Sequence, residues 1–293
     1  MEKQIYRFNN DIENLEVSSV GAKIIIRQHE NAEIIAEYEN PKDTPEFCAV
    51  LNGSTLTFKE KMSFSFFGPK PSEGYTITVM VPAKTFTKLK VNTTSGGADI
   101  SDVTAQSFEL NTASGSISIN AFFEQIKIQS ASGSISLNNP TDMVAKSISV
   151  CTVSGNAEIN RYKAEEYNIH SVSGNTTYNG AVGKGKIAVT SGNVNVNYDE
   201  WNGDLNISAI SGNIGATLPA GAGIDVKFDG VSGMLKTDIG NTKGSFMNLG
   251  RGTSGQMGGE NIHKVEISLT SGTVTLAQGD AAKADGINLE KGA

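Results

Sequence analysis

Residues 111–120 read NTASGSISIN, and residues 129–138 read QSASGSISLN, so nearly the same ten-residue word occurs twice in succession. The Ser-Gly pair inside this word belongs to a longer series. It occurs ten times between Ser95 and Gly272, at steps of 17 to 22 residues. A repeat with a period near twenty residues is typical of a solenoid, in which each repeat forms one turn and stacks on its neighbours.

The residues before each Ser-Gly pair alternate between inward and outward types. Counting back from Ser132, the sixth and fourth residues are Ile126 and Ile128, and the second is the smaller Ser130. The other repeats follow this pattern with few exceptions. A period of two indicates a β-strand with one buried face.

The alternation shifts by one residue after each glycine. Ile135 and Leu137 lie three and five residues after Ser132, and the other repeats carry mostly apolar side chains there. Such a shift would turn the buried side chains outward unless the chain bends, so the pattern predicts a corner. We expect the glycine to supply a positive φ. We expect the serine to point inward and to bond either nearby backbone or the next serine of the stack.

Nine pairs fit this corner pattern. They are Ser95-Gly96, Ser114-Gly115, Ser132-Gly133, Ser154-Gly155, Ser173-Gly174, Ser191-Gly192, Ser211-Gly212, Ser232-Gly233 and Ser271-Gly272. The tenth pair, Ser254-Gly255, breaks the pattern, since its inward positions carry Asn248, Gly250, Met257 and Gly259, and we interpret it as part of a glycine-rich excursion.

These features predict an all-β fold, a parallel β-helix (β-solenoid) of about ten or more rungs in one continuous domain. Residues 1–82 form irregular N-terminal rungs that serve as a cap, residues 83–276 form the regular solenoid, and residues 277–293 form a polar C-terminal tail. Neighbouring strands lie ~4.8 Å apart, so nine rungs make a rod roughly 40 Å long.

The N-terminal region contains an aromatic cluster, Phe64, Phe66 and Phe67. One interpretation is a cap over the exposed end of the solenoid. The alternative is an interaction patch for a partner or for a second copy of the chain. We therefore keep a homo-oligomer, joined through this segment or through edge strands, as an alternative to a monomer.

Composition excludes several classes of function. The formal net charge of −7 and the absence of a concentrated basic patch argue against a nucleic-acid partner. No apolar stretch approaches the ~20 residues of a membrane helix, which argues against direct membrane insertion. Cys48 and Cys151 have no metal-ligand spacing, and two buried free thiols are favoured over one disulfide.

The sequence offers no catalytic, cofactor-binding or metal-binding residues. No GxSxG motif accompanies the recurring serines, and His170 is expected to point outward as a solvated strand residue. Gly250, Gly252 and Gly255 match GxGxxG by letter, but no βαβ unit surrounds them. Asparagines recur after the corners, and we interpret them as a structural side-chain ladder, with a sugar-binding strip as the alternative. They are Asn156, Asn175, Asn193, Asn195 and Asn213.

The rungs of the form TxSGxIxI, entered through a strand ending in VPAKTF, resemble a bacterial family of β-strand-repeat proteins named as candidate adhesins. The resemblance covers about Ile5 to Leu276. It implies a single-stranded, right-handed β-helix and no catalytic residues. Members of the family often carry export signals or accompany membrane proteins.

We therefore predict a non-catalytic binding or scaffold protein, adhesin-like, which presents a flat face to a protein or glycan partner and uses no cofactor. The alternatives are an envelope-linked regulatory module on the cytoplasmic side and a carbohydrate-active enzyme of the β-helix type. Since the sequence as written has no signal peptide, a cytoplasmic location is expected, and a cell-surface location if a native signal precedes it.

Overall fold

The computed structural model describes residues 2–9, 11–40, 46–60, 75–240, 242–247 and 253–279, and within these ranges every regular element is a β-strand. The N-terminal strands are β1 (Glu2–Phe8), β2 (Asn14–Ser19), β3 (Lys23–His29), β4 (Ile34–Asn40), β5 (Phe47–Asn52), β6 (Thr55–Glu60), β7 (Thr76–Pro82) and β8 (Thr85–Thr93). The central strands are β9 (Ala98–Thr112), β10 (Ser116–Ser130), β11 (Ser134–Asn138), β12 (Ala145–Thr152), β13 (Asn156–Asn160), β14 (Ala164–Ser171), β15 (Asn175–Ala181), β16 (Lys184–Val189) and β17 (Asn193–Tyr198). The C-terminal strands are β18 (Leu205–Ala209), β19 (Asn213–Leu218), β20 (Ala222–Gly230), β21 (Met234–Ile239), β22 (Thr242–Met247), β23 (Thr253–Gly258), β24 (Asn261–Leu269) and β25 (Thr273–Gln278).

The strands form two parallel stacks that meet at the corners. One stack contains the strands that precede the corners, in which Gln125 to Ser130 of β10 pair with Ser147 to Thr152 of β12. The other contains the strands that follow the corners, in which Ser116 of β10 pairs with Ser134 of β11. Equivalent positions of successive repeats therefore lie above one another. This arrangement is the β-solenoid that the sequence predicts.

The core is a set of apolar columns inside the coil. Ile126, Ile128, Ile135 and Leu137 are all buried, as the two-residue alternation requires. Bulky aromatic side chains fill the interior where the chain passes from one rung to the next. Tyr162 is fully buried there, and its hydroxyl donates to the carbonyl oxygen of Ala121 at 2.7 Å and accepts from a backbone N–H. Burial raises the pKa of this phenol.

The order of the rungs in space differs from their order along the chain at both ends. The last rung, β24 and β25, lies between the β18–β19 rung and the β20–β21 rung. At the other end, β2 and β3 lie between β6–β7 and β8–β9. At each end, therefore, two rungs that follow each other along the chain are separated in the stack by a third rung.

Antiparallel strands finish each end. β5 pairs with β6, β4 with β7, and β1 with β4; at the opposite end β23 pairs with β20 and β22 with β21. A terminal rung would otherwise present a row of unpaired backbone groups, which these strands satisfy. The excursion that contains Ser254 and Gly255 is strand β23 of this cap.

Candidate functional site

The predicted Ser-Gly pairs all lie between a strand and the strand that follows it. At the Ser132 corner, all four residues between the buried Ser130 and the buried Ile135 are at least partly exposed, so the alternation shifts by one residue there, as predicted. The inward direction that we expected for the serines is wrong, because the corner serines are exposed or half-buried. Each serine donates both its N–H, at 2.7–2.9 Å, and its hydroxyl, at 3.0–3.4 Å, to one carbonyl oxygen of the adjacent rung.

The corner glycines are required chiefly because the backbones of adjacent rungs approach closely. A Cβ built on Gly133 would lie 2.3 Å from the carbonyl oxygen of Gly115, which no real side chain tolerates. Gly133 also has a φ of +134°, whereas only three of the nine predicted corners have a positive φ. The expectation of a general positive φ is therefore wrong, and close packing is the common cause. A further corner, Ser19 to Ala22, contains no Ser-Gly pair, so the pattern does not predict it. Ser19 Oγ there accepts a hydrogen bond from the N–H of Ala22 at 2.8 Å.

We call the outward side chains of the strands that follow the corners the post-corner face. Between Asp99 and Ala277 it is composed mostly of serine, threonine and asparagine, and its charged members are Asp99, Glu158, Lys236 and Asp238. The predicted asparagine ladder exists: Asn175, Asn193 and Asn213 each donate from their side-chain amide to the asparagine of the preceding rung, at 3.3, 2.9 and 3.1 Å. Asn195 lies in a different column of the same face.

The equivalent outward side chains before the corners, the pre-corner face, carry mixed charges. They include Lys88, Lys90, Glu109, Lys127, Glu166, Lys184, Lys186, Lys264 and Glu266. Lys88 and Lys90 lie 3.1 and 3.5 Å from the carboxylate of Glu109. A hydrogen bond from Asn111, together with these two lysines, lowers the pKa of Glu109 to about 2 against the opposing effect of burial.

A groove of about 630 Å³ runs along the corner edge of the pre-corner face. Its first wall contains the residues three before the corner serines, including Asn111, Gln129 and Cys151. Its second wall contains the residues one before those serines, including Ala131 and Val153. Most lining residues carry hydroxyl or amide groups, and Lys59 and Glu60 are charged, but Ala113, Ala131 and Val153 give the second wall an apolar surface near Cys151.

Cys151 and His170 form a contact that sequence reasoning missed. Both lie three residues before a corner serine, so stacking brings them together, and Cys151 Sγ is 3.7 Å from His170 Nδ1. His170 points outward as predicted. Cys151 and Cys48 are free thiols but half-exposed, so the expectation of buried thiols is wrong. The sequence does carry a signal for the Cys151–His170 contact, because both residues lie three positions before a corner serine.

The other sequence candidates do not form a site. Phe64, Phe66, Phe67, Gly250 and Gly252 lie outside the described residues. Within the described ranges no three potential metal ligands cluster, and no helix is long and apolar enough to cross a bilayer.

Comparison with known proteins identifies the family. The model of the family described as Toastrack DUF4097 matches residues 12–277. No significant match was found among curated proteins. A candidate lipid-binding protein from Parabacteroides distasonis has a similar structure, with 16% identity, a TM-score of 0.52, and coverage of 94% of this chain and 96% of that one. A candidate adhesin from Bacteroides fragilis gives 11% identity, a TM-score of 0.48, and coverage of 94% and 97%. Since the family model spans most of its length, the chain belongs to the Toastrack DUF4097 family.

Proposed function

We propose that the protein is a non-catalytic binding scaffold whose post-corner face binds a neutral glycan polymer. The observation that carries this proposal is one column of the post-corner face in which uncharged hydrogen-bonding side chains continue from rung to rung. Its members are Ser116, Ser134, Asn156, Asn175, Asn193, Asn213 and Thr273. Hydroxyl and amide groups both donate and accept hydrogen bonds, as the hydroxyl groups of a sugar require.

The rigidity of the face favours this kind of ligand. Its backbone is fixed by parallel ladders on both sides, and its asparagines already hold one another through bonds such as Asn193 to Asn175. Little conformational entropy is therefore lost when a ligand binds. Among the described outward side chains of the post-corner face between Asp99 and Ala277, none carries an aromatic ring that could stack on a sugar. Each contact is consequently weak, and affinity depends on many contacts in series.

A glycan array tests the proposal directly. We expect binding to neutral polysaccharides, with long polymers bound more tightly than short oligosaccharides of the same sugar, because only a polymer spans several rungs. An interaction confined to proteins, with every glycan unbound, would contradict it.

A pair of matched variants locates the binding face. Ser136 lies exposed on the post-corner face, and Ser208 lies exposed on the pre-corner face. Ser136→Arg inserts a long charged side chain into the proposed surface and should weaken polysaccharide binding by at least about tenfold, or 1.4 kcal/mol. Ser208→Arg is the control and should bind as the wild type does. Equal losses in the two variants would place the binding elsewhere.

A further inference from the structure

The contact between Cys151 and His170 places a nucleophile beside a base. Imidazole can take up the thiol proton at Nδ1 when its own proton is on Nε2. The Sγ–Nδ1 separation of 3.7 Å is within the range of a sulfur hydrogen bond. Cysteine reacts as its thiolate, so a proton acceptor at this distance favours reaction.

The same cysteine lies in the lining of the groove, beside the apolar part of its second wall. Val153 is 48% exposed, and Ala131 on the adjacent rung is also exposed, so the wall beside Cys151 offers hydrocarbon surface to a ligand. The volume of about 630 Å³ lies within the ~300–1,000 Å³ typical of small-molecule sites. The groove extends over several rungs, which suits a linear chain.

From these two observations we propose that Cys151 is a modification site that accepts an acyl group from an acyl thioester, with the hydrocarbon chain lying in the groove. The thiol proton passes to His170 Nδ1, and the sulfur forms a bond to the acyl carbon. The carbon–sulfur bond of the donor breaks, and the departing thiolate takes the proton from His170. The product is a new thioester on Cys151 and a free donor thiol, so no oxidant or reductant is needed. This site is separate from the post-corner face and does not depend on the proposed glycan binding.

Cys48 is an internal control. It is also a half-exposed free thiol, but its Sγ donates to the carbonyl oxygen of Lys59 at 3.5 Å instead of contacting an imidazole. The two thiols therefore differ in the feature on which the proposal rests.

The experiment incubates the full chain with the dodecanoyl or acetyl thioester of N-acetylcysteamine and follows adducts by peptide mass spectrometry. We expect dodecanoylation of Cys151 to be at least about tenfold faster than that of Cys48. His170→Gln should slow the reaction of Cys151 with both donors by a similar factor and leave Cys48 unchanged. Equal rates at the two cysteines, or no effect of His170→Gln, would overturn the role of the Cys151–His170 pair.

Two exposed positions test the groove. Ala131→Trp and Val153→Gln, which add no charge near Cys151, should slow transfer of dodecanoyl much more than that of acetyl, since only the long chain needs the groove. Circular dichroism verifies that each variant is folded. If dodecanoyl transfer is unchanged in both folded variants, or acetyl transfer falls equally, the groove does not hold the acyl chain and the proposal is overturned.

Discussion

The two faces of the solenoid are built from strands of one repeat, yet they carry different side chains. On the pre-corner face, charges of both signs pair across rungs, as Lys88 and Glu109 do. On the post-corner face, amides and hydroxyls predominate, and side-chain bonds such as Asn213 to Asn193 run along the stack. Both faces cover the same apolar core, so packing does not dictate the difference. Outward positions of a solenoid are free of the core's constraints, so a sustained bias there needs another cause, either side-chain bonds along the stack or the proposed ligand.

The corner joins the strands of both faces, so replacing its glycine should reduce the free energy of unfolding more than any other substitution proposed here. Gly133→Val would place a Cβ 2.3 Å from the carbonyl oxygen of Gly115 in a backbone with a φ of +134°. We expect a loss of about 3–5 kcal/mol in the free energy of unfolding, because either the stack must open or the corner must change. Chemical denaturation followed by circular dichroism measures it.

Gly255 provides a matched control for this substitution. It also follows a serine, but it lies in the antiparallel strand β23, where a Cβ would meet nothing within 4 Å. Gly255→Val should change stability by less than about 1 kcal/mol. Similar losses at Gly133 and Gly255 would show that close stacking at the corner is not the cause.

The sequence predicts the repeating part of this fold well because inward side chains are forced by the core. The shift of alternation at Ser132 fixes which residues are buried, and Ile126 and Ile135 are buried accordingly. The order of rungs at the ends is not predictable in this way, since β24 and β25 would show the same alternation wherever they stacked. Neighbours on the outer faces become predictable only when residues are compared by their offset from the corner, as the Cys151–His170 contact illustrates.

The charged character of the pre-corner face predicts a stability that depends on pH. Because the folded pKa of Glu109 is lowered from 4.5 to about 2, its ionised form stabilises the fold above the unfolded pKa. This contribution is lost as the pH falls from about 4.5 through about 2. Glu109→Gln should therefore reduce the free energy of unfolding at pH 7 by about 1–2 kcal/mol, a value discounted for partial exposure to solvent.

Denaturation at several pH values tests this prediction. The difference in the free energy of unfolding between the wild type and Glu109→Gln should disappear as the pH falls toward about 2. Asn111→Ala removes the largest single cause of the lowered pKa of Glu109. In that background, Glu109→Gln should reduce the free energy of unfolding at pH 7 by less than it does in the wild type. A difference that is constant across this range would mean that the carboxylate is not stabilised by its neighbours.

The asparagine ladder of the post-corner face should contribute least to stability. Asn193→Ala removes two exposed hydrogen bonds, one donated to Asn175 and one accepted from Asn213, and should cost no more than about 1 kcal/mol. Asn195→Ala on the same strand is the control, because among the described residues no hydrogen bond from its side chain is present. If Asn193→Ala costs about as much as Gly133→Val, the amides hold the stack together and their pattern has a structural explanation. If the cost is small, stability alone does not account for the uncharged column that persists through successive rungs, and the contrast with the pre-corner face favours the proposed ligand as its cause.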